Sequence, residues 1–168
     1  MTGLVADTSG LVSLGIAGQD IDLLSLCLER YDVAVPKTVV EELRDVASYD
    51  DVHGDGAERV LDRTDDLSVR AVDLDPEFPL DDGENAAVTL ANEDDAAILL
   101  CDEFNRLGLI HASLADTRLV TTPTLLSVCV RQDRLSSAAA LDLLDTLSEA
   151  RSWDSNSYVQ RARSLLAE

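Results

Sequence analysis

Apolar positions along the chain fall into short extended runs, each followed by a segment with a helical beat. Residues 4–6 form a brief apolar run that stops at Asp7, and DTSGLVSL then places Leu11, Val12 and Leu14 at helical spacing, so the start reads as strand, turn, helix. A second helix is expected over Asp20–Arg30, where Ile21, Leu23, Leu24, Leu26, Cys27 and Leu28 are apolar, before an extended piece at Val33–Val35. Pro36 opens a third helix, because proline suits a first helical turn and Thr38 can assist the start. Between Ser48 and Asp66 the chain is crowded with aspartate and carries Gly54 and Gly56. This stretch predicts a mobile, solvated connection in which AERVLDR adds a helical turn or two.

Leu67–Val72 alternates weakly as a strand, and DLDPEFPLDDG is a proline-rich loop that leads into a helix over Glu84–Asn92. Ala96–Cys101 is apolar without alternation, the pattern of a central parallel strand covered on both faces, and Asp102 follows directly. Phe104–Ala115 reads as a helix and Arg118–Thr121 as a last strand, with further helices over Thr124–Arg131, Ser136–Ala150 and Ser155–Ala167. Strands alternating with helices predict an α/β fold, a three-layer sandwich with a central, mainly parallel sheet and a helical C-terminal extension. The core is expected over residues 1–131, with helices of 132–168 packed on the same domain. Leu141, Leu143, Leu144 and Leu147 give the extension an apolar face, which can be buried within the fold or against a second copy in a homodimer.

Size and composition narrow this picture. At 168 residues and 18.1 kDa the chain suits one domain. Residues of the hydrophobic class make up 46% but aromatics only 4%, so Leu, Val and Ala must fill the interior. Asp and Glu number 33 against 13 Lys and Arg, a net charge of −20, and Lys37 is the sole lysine. Such usage resembles that of proteins from salt-accumulating archaea and predicts an acidic surface suited to strong salt. In ordinary salt it weighs against a phosphate-bearing partner, which Lys and Arg normally hold; at molar salt that objection shrinks. No apolar run is long enough to cross a bilayer and MTGLVADTSG has no signal-like pattern, so a cytoplasmic protein is expected. Cys27, Cys101 and Cys129 lie far apart within apolar runs and read as buried thiols, while His53 and His111 lack partners at metal-ligand spacing.

The remaining candidate chemistry is acidic. In open α/β sheets ligands bind beyond the carboxyl ends of the strands, where Asp7 and Asp102 both sit. Each has two readings, as the cap of the helix that follows or as a metal-facing carboxylate. In the helix after Pro36 the apolar face is Val39, Val40, Leu43, Val46 and Ala47; Glu41 points to solvent, whereas Glu42 flanks that face and can reach over the sheet edge. In LDDGENAAVTLA, Asp82 or Gly83 is placed at the helix N-cap and Glu84 in the first turn, nearer the inward side.

Taken in order, VADTSGLVSL, VPKTVVEEL, LDDGENAAVTLA and ILLCDEFNR resemble the acidic segments of the PIN domain family, particularly small prokaryotic toxins of the VapC type, over roughly residues 4–131. The resemblance implies that Asp7, Glu42, Glu84 and Asp102 hold Mg²⁺ or Mn²⁺ and support metal-dependent hydrolysis of RNA, with a small antitoxin as a further partner. Ser9 or Thr8 would orient a ligand. Arg106 would touch substrate phosphate or pair with Asp102 four residues earlier. Many PIN domains carry aspartate at the third position, where this chain has Glu84, and LGLIHASLADTRLVTTPTLL is longer than the compact turn and strand of close relatives. The competing reading is a PIN-like scaffold that binds protein or RNA without cleaving. A receiver domain is disfavoured because it needs a late lysine, and a haloacid-dehalogenase-type phosphatase because it needs a second aspartate two residues after the first.

Overall fold

A computed structural model describes residues 1–168. Five strands, β1 (Thr2–Ala6), β2 (Tyr31–Pro36), β3 (Ser68–Arg70), β4 (Ile98–Leu100) and β5 (Arg118–Val120), form one all-parallel sheet in the order β3-β2-β1-β4-β5. The connections are helical: α1 (Thr8–Ala17), α2 (Leu23–Arg30), α3 (Lys37–Ala47), α4 (Val52–Leu61), α5 (Asp82–Glu93) and α6 (Leu107–Ser113). Three more, α7 (Thr122–Arg131), α8 (Ser137–Arg151) and α9 (Ser157–Leu166), follow the last strand. The expected α/β sandwich with a parallel sheet is what the chain forms.

β1 occupies the centre, with Val5 opposite Ala34 on one side and Leu99 on the other. Strand alternation sends Leu4 and Ala6 into a core of 31 buried residues shared with α1–α4 and α7–α9, and Val5 into a smaller one of 10 under α5 and α6. The two faces are therefore unequal, and the C-terminal helices belong to the larger. Leu143, Leu144 and Leu147 are almost fully buried there, each worth about 2 kcal/mol of transfer from water. That places the apolar face of α8 within the fold. All three cysteines are free and buried.

One expectation fails. Residues 48–66 are not a solvated connection: α4 is docked on α1, with Gly54, Gly56, Ala57 and Val60 buried. Both glycines serve close contact, Gly54 with the Tyr49 carbonyl and Gly56 with Gly15 of α1. A Cβ on Gly15 would run into the Gly56 carbonyl, so backbone lies directly on backbone. Arg59 closes the crossing by donating to the Gly15 carbonyl at 3.0 Å. Burial along this crossing offsets the roughly 1 kcal/mol of helix propensity that each glycine gives up. Smaller departures are that Pro36 ends β2 as the cap of α3 without a side-chain cap bond, and that the helix expected from Phe104 begins as a 3₁₀ turn, Phe104–Arg106, before α6.

Candidate active site

Beyond the carboxyl ends of β1 and β4 lies an open cleft of about 300 Å³ lined by Asp7, Thr8, Ser9, Glu42, Asp45, Val46, Asp81, Gly83, Glu84 and Glu103. Six of these ten are carboxylates, one is apolar, and none is Lys or Arg. Such a grouping costs Coulomb energy unless a cation or protons offset it.

Asp7 leaves β1 with its amide bonded to the Leu100 carbonyl at 3.1 Å, which ties the first strand end to the fourth. Its Oδ1 caps α1 by accepting from Gly10 N at 2.9 Å and also accepts from Ser9 Oγ at 2.8 Å. No N–H or O–H donor reaches Oδ2. Capping and cleft lining are thus both true of Asp7, one oxygen serving each. Burial pushes its carboxyl from the ordinary 3.8 up to about 7, against the lowering effect of the Gly10 amide.

Glu42 flanks the apolar face of α3, half-buried, while Glu41 is exposed. Its Oε1 accepts from the Thr8 hydroxyl, and its carboxylate lies directly over Gly83, where any Cβ would collide with it. Burial raises Glu42 above the usual carboxylate range, and the charges of Asp81, Asp82 and Glu84 add to this. The N-cap of α5 is Asp81, one residue before the expected Asp82 or Gly83, because Asp81 and Glu84 form a reciprocal capping box. Glu84 is buried and also accepts from Arg106 Nε at 3.1 Å. Arg106 therefore pairs with Glu84, not with Asp102, and its Nη2 reaches the Pro79 carbonyl at 3.2 Å.

Asp102 stands apart. Parity along β4 turns Leu100 and residue 102 to the larger core, and Cys101 and residue 103 to the side of Asp7. Asp102 is buried and accepts from Thr122 N at 2.7 Å and Thr122 Oγ1 at 2.6 Å, at the first turn of α7. It does not cap the helix after it. Burial raises its carboxyl, opposed by those two bonds. Its amide donates to Ser9 Oγ at 2.9 Å, so Ser9 joins Asp7 to the end of β4.

The cleft thus brings together Asp7, Glu42 and Glu84 of the expected four, with Ser9 beside them. Asp102 lies one residue behind, and Arg106 is bonded to Glu84. Sequence reasoning missed Glu103, the exposed carboxylate that lines the cleft in place of Asp102, raised by desolvation and by the charge of Glu84. Alternation through ILLCDE could have found it. Asp81 and Asp45 were also missed as lining groups.

No three of these side chains stand at ligand spacing. Glu84 is drawn to Arg106, and Asp102 to Thr122. The donor chemistry nevertheless fits a hard divalent cation, being all oxygen, with a glycine beneath Glu42 that makes room for its carboxylate.

A parallel sandwich with carboxylates beyond its central strand ends sets an acidic site where open α/β sheets bind their ligands. A family model described as a PIN domain matches residues 3–168, and the chain belongs to the PIN domain family. None of the curated proteins matches it. PIN domains are generally nucleases that act on nucleic acids and typically use divalent metal ions. No helix is long and apolar enough to cross a membrane.

Proposed function

We propose that the protein is a divalent-metal-dependent endoribonuclease that hydrolyses phosphodiesters of single-stranded RNA. The observation that carries this reading is the cleft where Asp7, Glu42, Glu84 and Glu103 converge with no basic lining residue. Residues 1–131 would carry the chemistry, with 132–168 packed upon them. Asp7, Glu42, Glu84 and Asp102, joined by Glu103, would hold Mg²⁺ or Mn²⁺. When bound, such a cation supplies Lewis acidity and offsets charge on the scissile phosphate. The protein's own groups fix the donors: Ser9 aims Asp7, Thr8 holds Glu42, and Thr122 anchors Asp102. Arg106, with part of its side chain exposed, pairs with Glu84 and would meet a substrate phosphate.

The toxin resemblance adds a small antitoxin protein that restrains the enzyme in the cell, and the acidic surface suits a saline cytoplasm. A homodimer is part of the same reading, and sedimentation tests it. The activity is tested by incubating RNA with purified protein at molar KCl, with Mn²⁺, Mg²⁺ or EDTA, beside Asp7→Asn. Cleavage is expected only with metal and only in the unsubstituted protein. A second reading, a non-cleaving scaffold, is favoured by one fact: Glu84 and Asp102 are already occupied by Arg106 and Thr122. Metal binding seen by calorimetry without any cleavage would establish it and overturn the nuclease.

A further inference from the structure

Beside the acidic cleft, on the other side of Glu103, lies a second cavity of about 470 Å³, whose lining includes Asp102, Glu103, Phe104, Asn105, Arg151 and Trp153. Glu103 lines both cavities, so a strand crossing it would have neighbouring units in each. The size is that of a small-ligand pocket, about 300–1,000 Å³.

Arg151, at the end of α8, is one of seven arginines without a carboxylate at ion-pair distance, with Arg30, Arg44, Arg59, Arg118, Arg131 and Arg161. Arg63, Arg70, Arg106, Arg134 and Arg163 are each paired with a carboxylate. Arg151 has none within ion-pair distance, in a chain of net charge −20. Its Nη1 instead donates to the Ser9 carbonyl at 2.7 Å and to Ser13 Oγ at 2.8 Å. Nε and Nη2 carry no protein partner. The guanidinium is thus held in place with two nitrogens unused, an arrangement suited to phosphate oxygens. Ser9 connects the two cavities: its carbonyl holds Arg151 while its hydroxyl holds Asp7.

Two aromatic rings join a mostly polar lining: Trp153 is buried, and Phe104 is half-buried with one face stacked on Tyr158 at 5.6 Å. Trp153 meets Phe104 edge to face at 4.9 Å, and the Arg151 guanidinium lies 5.7 Å from the Trp153 ring. Flat aromatic surfaces bind unstacked bases with little regard to sequence, and exposed amides such as that of Asn105, which makes no bond within the protein, read base edges. Both carboxylates of the lining, Asp102 and Glu103, feel the charge of Arg151 beyond ion-pair distance, and Asp102 is also bonded to Thr122.

We propose that this cavity is a nucleotide subsite, which takes one nucleotide of an RNA strand with its phosphate on Arg151 and its base beside Phe104 and Asn105. Its position beside the scissile phosphate rests on the nuclease reading; its ability to hold a nucleotide does not. Trp153 is the only tryptophan, so its fluorescence reports on this cavity directly.

The test titrates the full chain in EDTA and constant KCl with adenosine 5′-monophosphate, cytidine 5′-monophosphate, adenosine and inorganic phosphate. Saturable quenching is expected with both nucleotides, and binding about tenfold weaker or more with nucleoside or phosphate alone. Arg151→Met should weaken nucleotide binding about tenfold or more. Because Arg151 also holds α1, Ser155→Asp is the second variant; Ser155 is exposed, makes no hydrogen bond and lines the cavity, and the added charge opposes phosphate. Ser155→Asp should also raise KM for RNA while sparing kcat. No saturable response, or an equal response in both variants, overturns the subsite. Nucleotide binding without RNA cleavage upholds the subsite and overturns the nuclease, whereas cleavage without nucleotide binding does the reverse.

Discussion

Replacing Gly83 by alanine separates the geometry of the acidic cleft from the stability of the fold. Gly83 sits in the first turn of α5, and the side chain that a Cβ there would strike is the carboxylate of Glu42. Helix propensity favours alanine over glycine by up to about 1 kcal/mol. Against this stands the Thr8–Glu42 hydrogen bond, which a half-buried carboxylate makes worth about 1–2 kcal/mol and which is lost when Glu42 swings out. The two nearly cancel, leaving a net change within about 1 kcal/mol and a shift in Tm of no more than about 4 °C for a chain of this size. Metal affinity should respond far more, by about 10–100-fold, the range found when the partners that position a ligand are removed. The assay pairs melting in EDTA with calorimetric titration of Mn²⁺. Unchanged Mn²⁺ affinity would refute the role of Glu42. A fall in Tm greater than about 10 °C would show that the glycine accommodates backbone and not the carboxylate.

Gly15→Ala should behave in the opposite way, because its Cβ meets Gly56 backbone that cannot swing aside; a loss of about 3 kcal/mol is expected, and a variant that melts within about 2 °C of the parent would contradict the α1–α4 contact. The buried Asp7 carboxyl, pushed up to about 7 from 3.8, favours its protonated form on folding. Its stabilisation is complete below about pH 4 and is lost as pH rises through 7, so the metal-free protein should lose up to about 1.4 kcal/mol per pH unit across that window. Asp7→Asn should flatten the dependence, and equal slopes in the two proteins would remove Asp7 as its source. With a net charge of −20, melting temperature should climb between about 0.1 M and molar KCl, where screening lengths differ roughly threefold; identical melting at both would end the reading of a salt-adapted surface.

What could be read from the chain beforehand depended on how local the signal is. The run ending at Asp7 and the unalternating Ala96–Cys101 are set by neighbours in sequence, and each reappears as a strand. Glu42 was placed by helix geometry alone, since flanking an apolar face is a matter of angle. The errors come where distant residues decide. Gly56 looks like a breaker until Gly15 lies against it, and nothing near position 56 announces that partner. Arg106 finds Glu84, 22 residues away, in preference to Asp102 within its own turn. Asp102 was read from its place after a strand, but which side of the sheet it faces depends on parity against β1. The same parity brings Glu103 to the cleft.

The centrality of β1 also dictates an order of assembly. Thr8 meets Glu42 across 34 residues, so the left half of the sheet can pair while a nascent chain is still short. Ser9 waits 93 residues for the amide of Asp102 and 142 for the guanidinium of Arg151. Such distant closures are the slow ones, and until they occur Asp7 hangs from an unpaired strand edge with its serine free to rotate. A ribosome extending this chain would therefore carry the acidic residues long before it carried an assembled cleft.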